Sequence, residues 1–441
     1  MLGFLRRNLD KLVFALGVVL AVFAYGVAVG KFRLWPHDVI EAATEAGRDW
    51  RENWRHYLGI RSKWVQDSTL PGGVSIHEPA RAWAGDTFVS AFRDNIFGGV
   101  LVAMDGTVRH EWKLPIDEIW RRAGYESSPM PDVDVAIHGA HMMPDGDLIL
   151  AVAGRALVRL DACSRVVWSI PVLAHHSVDV LDNGEILVPG ATTYTAPNPK
   201  WPRLRPGAAG YFDDQTIVRV SPDGKILDEF SITDSIYESD WMALLFAGRG
   251  SSFTMAESDP YHLNDIEMLR PEMAAAFPMF EAGDLLVDLR NLQTMVVLDG
   301  ETRKIKWTMT GPFFGQHDPD FAPNGHIVVF DNRITGNQPQ LGYTKVLEID
   351  PATREIVWSY GGSDAEPFYT PIGGKVQMLP NGNILVGEPQ GGRVFELAKE
   401  GDGGKIVWQW VNQEEPGRVG MIFDIQRGPV VTEPWVGRAC G

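Results

Sequence analysis

The chain has 441 residues, 45% of them hydrophobic and 22% charged, an ordinary globular composition with ample material for a core. Its 46 glycines and 29 prolines fit a turn-rich β protein rather than a disordered one. The formal net charge of −17, with no basic stripe beyond the first residues, excludes a nucleic-acid surface, which needs clustered Lys and Arg to displace counterions.

The first element is an apolar one. Residues 12–30, Leu12 to Gly30, carry no charge and are rich in Val, Ala, Leu and Phe, close to the length that crosses a hydrocarbon core. Arg6, Arg7 and Lys11 precede this run, so the positive-inside rule makes residues 1–11 a cytoplasmic tail and puts the rest of the chain outside. The expected product is a single-pass protein of the cytoplasmic (inner) membrane with its body in the periplasm or beyond. A cleaved signal peptide fits the same flanks, but Gly26-Val27-Ala28 is a poor cleavage site and the run is long for a signal.

Residues 31–81 read as a helical stalk or packing arm. Between Pro36 and Trp64 the apolar and aromatic positions Trp50, Trp54, Tyr57 and Leu58 fall three or four apart.

From Ala82 onward short β runs and tight turns repeat. Asp145-Gly146, Asn183-Gly184, Asn324-Gly325 and Asn381-Gly382 each lead into an apolar β run, and such dipeptides supply the positive φ of a hairpin turn. The units close on an aromatic residue at Trp112, Trp168, Phe230, Trp307, Trp358 and Trp408, giving six of them, near 84–114, 138–170, 175–232, 262–309, 316–360 and 370–411. A unit of that size cannot bury both faces alone, and radial stacking solves this. The expected fold is all-β: a six-bladed β-propeller over 82–425 with a C-terminal tail at 426–441. A β-solenoid is disfavoured because the repeat is too long for one rung. Two insertions, Ala191 to Phe212 and Thr233 to Tyr261, map to loops of one face. Cys163 and Cys440 are too far apart in sequence for a metal pair. Two unpaired thiols are expected, with a disulfide as the alternative.

Aligning the units on their turn glycines exposes a sharper pattern. Eight residues before Gly146, Gly184 and Gly325 stand His138, His176 and His317, and His262 opens the fourth unit. His176-Ser-Val-Asp179, His262-Leu-Asn-Asp265 and His317-Asp-Pro-Asp320 share the spacing His-x-x-Asp, and the sixth unit has Gly374 at the histidine position. Equivalent positions on the inner strands of a propeller face one another, so four imidazoles converge on one pocket, suited to anion binding, nucleophilic attack or proton transfer. The aspartates, three residues along, point away from their histidines and read as packing residues. No metal and no cofactor are therefore assigned.

The segments Tyr261-His262-Leu-Asn264-Asp265, Asp288-Leu-Arg290-Asn-Leu-Gln293, Gly315-Gln316-His317-Asp318 and Val-Val-Phe330-Asp331-Asn332 resemble the bacterial aryl-sulfate sulfotransferases, and His175-His176-Ser-Val-Asp179 is similar to a further element of that family. The resemblance implies a periplasmic six-bladed propeller that moves a sulfuryl group from an aryl sulfate to a phenol without a phosphoadenosine cofactor. It further implies a sulfated-histidine intermediate, with His317 as nucleophile, His262 as acid and base, Arg290 on the sulfate oxygens and His176, or its neighbour His175, as a further donor. Asn264 and the fourth in-register histidine, His138, are added as candidate substrate contacts. Register favours His176 over His175 as the residue facing the channel. The competing reading is a catalytically silent propeller serving as an interaction module or accessory subunit, with a homo-oligomer or a membrane-complex partner. A quinone-dependent dehydrogenase is disfavoured for want of a calcium-ligand cluster.

Overall fold

A computed structural model describes residues 9–32, 34–58, 61–202, 204, 211–247, 259–334 and 341–437. Helix α1, Leu9–Phe32, contains the apolar stretch Val13–Phe32. At 1.5 Å per residue its 20 residues reach about 30 Å, long enough to cross a membrane, and almost none of it is buried against the body. Helix α2, His37–Tyr57, follows at once, and Trp50 stacks on Tyr57 with ring centroids 5.9 Å apart. The arm is helical only this far. Val65–Asp67 pairs with Arg418–Gly420, and Gly73–His77 adds an outer strand to a later sheet, so the expectation of a helical 31–81 is corrected. Both segments form backbone pairs with the body and cannot stand off as a stalk.

Among the described residues, six antiparallel sheets of four or five strands and one of three make up the body, and we number the six larger ones I to VI. Sheet II is Ile137–Met142, Leu148–Val152, Ala156–Leu160 and Val166–Ile170; sheet III is Asp179–Val180, Ile186–Tyr194, Phe212–Val220 and Ile226–Ser231. Sheet IV is Leu263–Met268, Leu285–Leu289, Thr294–Leu298 and Ile305–Thr310; sheet V is His317–Phe321, Ile327–Asp331, Lys345–Asp350 and Glu355–Gly361. Sheet VI is Lys375–Met378, Ile384–Glu388, Arg393–Glu400, Gly403–Val411 and Gly73–His77. Sheet I joins the two ends of the body: Asp86–Arg93, Ile96–Val102 and Val108–Lys113 receive Ile422–Gly428 as their innermost strand. That strand runs past the expected tail boundary at 425, because the pairing that defines it lies more than three hundred residues away.

The fold is thus all-β and propeller-like, and the closing aromatics do the work of joining its sheets. The indole Nε1 of Trp112 donates to Gly146 O at 3.0 Å, linking sheet I to II, and Trp168 donates to Pro222 O at 3.0 Å, linking II to III. Trp307 reaches Pro351 O at 3.0 Å, and Trp358 reaches Gly403 O at 2.8 Å. Phe230 makes the same step from III to IV through the guanidinium of Arg303, 4.3 Å from its ring centroid. Trp408 of sheet VI donates to Met104 O of sheet I at 2.9 Å, which returns the sequence of contacts to its start.

Inner strands are tied by side chains that accept backbone N–H groups of the next sheet. Asp424 accepts from Ala140, Asp179 from Met268, Glu267 from Phe321, Asp318 from Val376 and Gln377 from Arg427. Buried backbone donors at a sheet junction need such partners. The position of Gly374 is also explained. Its φ is +131°, and a Cβ there would lie 2.3 Å from the Phe330 ring, so no histidine fits. Cys163 is disulfide-bonded, which corrects the expectation of free thiols; Cys440 lies outside the described residues. The chain's end comes back to this region, since Gly437 N donates to His110 Nδ1 and His110 Nε2 meets the carbonyl of Ala162, beside Cys163.

Candidate active site

The histidines meet. A cavity of about 300 Å³ is lined by His138, His176, His262, His317, Arg290 and Asn264, with Lys375 and Asp318 beside them and Trp64, Ile372 and Phe423 as an apolar wall. Ring centroids of His176 lie 4.9 Å from His262, 5.7 Å from His138 and 6.1 Å from His317. A larger groove of about 690 Å³ runs over the outer part of sheet III, by Trp201, Asp234 and Arg303, but none of these histidines reaches it.

His317 opens the inner strand of sheet V and is 5% exposed. Its Nδ1 lies 3.0 Å from Gly315 O and 2.7 Å from Asn332 Oδ1. A carbonyl only accepts, so Nδ1 carries the proton and Nε2 keeps its lone pair. The Asn332 amide is itself fixed, because Nδ2 donates to Thr370 O at 3.0 Å and Gly373 O at 2.7 Å. Burial, then the charge of Arg290, drive the His317 pKa well below its ordinary value, so the ring is neutral.

His262 precedes the inner strand of sheet IV with φ +50°, a left-handed conformation that non-glycine residues adopt mainly where the surroundings impose it. Its Nδ1 sits 2.5 Å from Asp259 Oδ2, while Asp259 Oδ1 accepts the His262 backbone N–H at 3.0 Å. Burial pushes the Asp259 pKa up, but the charge and hydrogen bonds of His262 outweigh it, and the net shift is downward. The carboxylate therefore stays ionised and holds one edge of the ring, with Nε2 left for chemistry.

Arg290 lies on the one-turn 3-10 helix, Arg290–Leu292, that follows the second strand of sheet IV. Leaving the strand frees its side chain from the pleat. Its Nε is buried without a hydrogen-bond partner, and burial draws its pKa below the ordinary value against the pull of Asp259 and Asp288. A desolvated guanidinium with an unused edge is an anion site in waiting.

His176, with φ +60°, lines the cavity, whereas His175 stands behind it, its Nδ1 2.8 Å from His176 Nδ1. His175 is not among the residues that line the cavity. Burial holds His175 at about 3 and His138 at about 4, and sends His176 well below the usual range, so all are neutral at pH 7. His138 Nδ1 has no partner. Asn264 lines the cavity, but its Nδ2 is already given to Gln316 O at 2.9 Å. Asn332, Asp259 and Trp64 were not singled out by sequence reasoning; Asn332 was legible as the end of the Phe330-Asp331-Asn332 segment. Among the described residues, two groups of carboxylates lie close enough together to gather round a metal ion, Asp265, Asp318 and Asp320 in the interior and Glu281, Asp284 and Asp299 nearer the surface.

The sequence pattern of the arylsulfotransferases (ASST) matches residues 139–413, more than half of the chain, and takes in His176, His262, Arg290, His317 and Asn332. The chain belongs to the arylsulfotransferase family. No curated protein matches it. Among solved structures, this chain is similar to a protein of unknown function from Bacteroides caccae at 14% identity and TM-score 0.49, over 80% of this chain and 100% of that one. It is also similar to a streptogramin B lyase at 12% identity and TM-score 0.40, over 80% and 87%. The WD40 β-propeller domain of Doa1 matches at 13% identity and TM-score 0.38, over 77% and 85%. Membership of the arylsulfotransferase family supports a sulfotransferase-type activity on small molecules.

Proposed function

We propose that the protein transfers a sulfuryl group from an aryl sulfate to a phenolic acceptor in two steps through a sulfated His317. The observation that carries this reading is the commitment of His317 Nδ1 to Gly315 O and Asn332 Oδ1, which presents a neutral Nε2 lone pair to a cavity that also holds Arg290. In the first step Nε2 attacks sulfur, an S–N bond forms, and the S–O bond to the aryl group breaks. His262 Nε2–H protonates the departing phenolate. In the second step His262 takes the proton of the acceptor phenol, whose oxygen attacks sulfur and displaces the imidazole. Two easier displacements replace one difficult one. Arg290 holds the sulfuryl oxygens with its planar fork, and neutral His176 and His138 offer ring N–H groups to the same charge, a preorganised set aimed where charge develops. Trp64, Ile372 and Phe423 give the aryl ring an apolar wall. No cofactor enters this scheme.

We read the six sheets as the blades of a closed six-bladed ring, supported by the circuit of aromatic contacts from Trp112 to Trp408. We read α1 as a retained anchor that places this ring on the periplasmic face of the inner membrane; its length, its open apolar surface and the basic residues before it support this.

The test is turnover of 4-nitrophenyl sulfate by the full chain in detergent, with and without added phenol. Nitrophenolate release that rises with phenol and vanishes in His317→Asn is expected. Silence in folded protein across several acceptors and sulfate esters would overturn the reading.

A further inference from the structure

The His-x-x-Asp spacing puts more charge in the interior than the reaction uses. Asp265, three residues after His262, and Asp318 and Asp320, just after His317, each bring a carboxylate oxygen to within 4.8 Å of the other two. Asp265 and Asp318 are only 3% and 4% exposed. Asp318 pairs with Lys375 Nζ and accepts Val376 N–H, and Asp265 stands 3.7 Å from the same ammonium. One ammonium thus faces three carboxylates.

Acceptor oxygens are also left unused on residues adjacent to this group in the chain or across the strand. Asp265 Oδ2 is buried with no hydrogen bond, and so are Asn264 Oδ1, Asp288 Oδ2 and Gln316 Oε1. These four belong together: Asn264 precedes Asp265, Asp288 is the cross-strand partner of Asp265, and Gln316 Nε2 donates to Asp288 Oδ1 at 2.6 Å. Buried acceptors are normally paired. The unpaired Oδ2 of Asp265, itself a member of the carboxylate group, asks for a cation.

We propose that Asp265, Asp318 and Asp320 bind one hard divalent cation, calcium by the all-oxygen donor set and its tolerance of irregular geometry. The ion ties the strand that begins beside His262 to the strand that begins at His317, so that its charge steadies the spacing of these two histidines without touching substrate. The His-x-x-Asp pattern then has a reason: each of the two strands brings a histidine to the cavity and a carboxylate to the ion.

The test uses the full chain in detergent, stripped with a chelator, and reads binding and stability rather than turnover. Equilibrium dialysis with radioactive calcium is expected to find one ion per chain, and millimolar calcium to raise the thermal midpoint by about 3 °C or more over the chelated protein. Asp320→Asn should keep the chelated protein's midpoint, having one repelling charge fewer, and lose both the ion and the rise. Asp299→Asn, in the surface group, should keep both. No uptake by the wild type, equal uptake by Asp320→Asn, or loss of uptake in Asp299→Asn would each overturn the proposal. If Asp320→Asn does not fold, Asp265→Asn with the same two readouts replaces it.

Discussion

The Oδ1 atom of Asn332 lies 2.7 Å from Nδ1 of His317, and its amide cannot turn round because both protons of Nδ2 are taken by the carbonyls of Thr370 and Gly373. A chain of three fixed contacts thus decides which nitrogen of His317 bears the proton. Asn332→Leu leaves Nδ1 with only Gly315 O and loosens the ring. We expect kcat to fall roughly 100-fold with KM little changed, the signature of a misplaced reacting group. Steady-state kinetics on 4-nitrophenyl sulfate check this; a fall in KM alone would speak against a positioning role.

Arg290 should resist its conservative replacement. Lysine keeps the charge but loses the fork whose Nε edge stands free, so Arg290→Lys is expected to lower kcat/KM by about 10²-fold or more. Unchanged kinetics would point to another anion site, with Lys375 the next cation on the cavity wall.

The Asp259–His262 pair predicts a dependence on the leaving group. Phenyl sulfate needs its departing oxygen protonated, while 4-nitrophenolate leaves readily without help. Asp259→Asn should therefore slow phenyl sulfate much more than 4-nitrophenyl sulfate. Equal losses on the two donors would remove His262 from acid catalysis.

His138 makes a prediction about acid stability. Its pKa falls to about 4 in the folded state, from 6.5, through burial first and then the charge of His262. Between those values the unfolded chain binds a proton that the folded chain does not, so stability is lost as pH falls through this window and no further below it. The buried carboxylates with raised pKa values act in the opposite sense over part of the same range, so the informative quantity is the difference from His138→Gln. Urea unfolding should show the wild type losing up to about 3 kcal/mol relative to the variant between pH 7 and pH 4. A constant difference would mean that His138 is not held neutral.

Local signals were legible and distant ones were not. Asn-Gly and Asp-Gly turns and closing aromatics each belong to a few consecutive residues, and they locate all six sheets. The same register picks out His138, His176, His262 and His317, because equivalent places on repeated units face one cavity. Ile422–Gly428 was hidden, since it is an inner strand only by virtue of pairing with Asp86–Arg93. The one-turn helix that carries Arg290 was hidden as well, because nothing in its neighbours announces that the chain turns at Leu289. Asn332 and Asp259 took on meaning only once the rings they hold had positions in space.

Sheet I is shared between the beginning and the end of the body, and this orders events in time. Synthesis delivers residues from the N-terminus, so Asp86–Arg93 waits with an open inner edge until Ile422–Gly428 has been made. Phe423, which forms part of the cavity wall, lies on that last strand. The nascent protein thus has no complete pocket, and no committed partner for its first sheet, until nearly the whole chain has emerged. A chain cut short before residue 422 would keep an exposed strand edge, the feature that invites pairing with the wrong neighbour, and would be recognisable to quality control as unfinished.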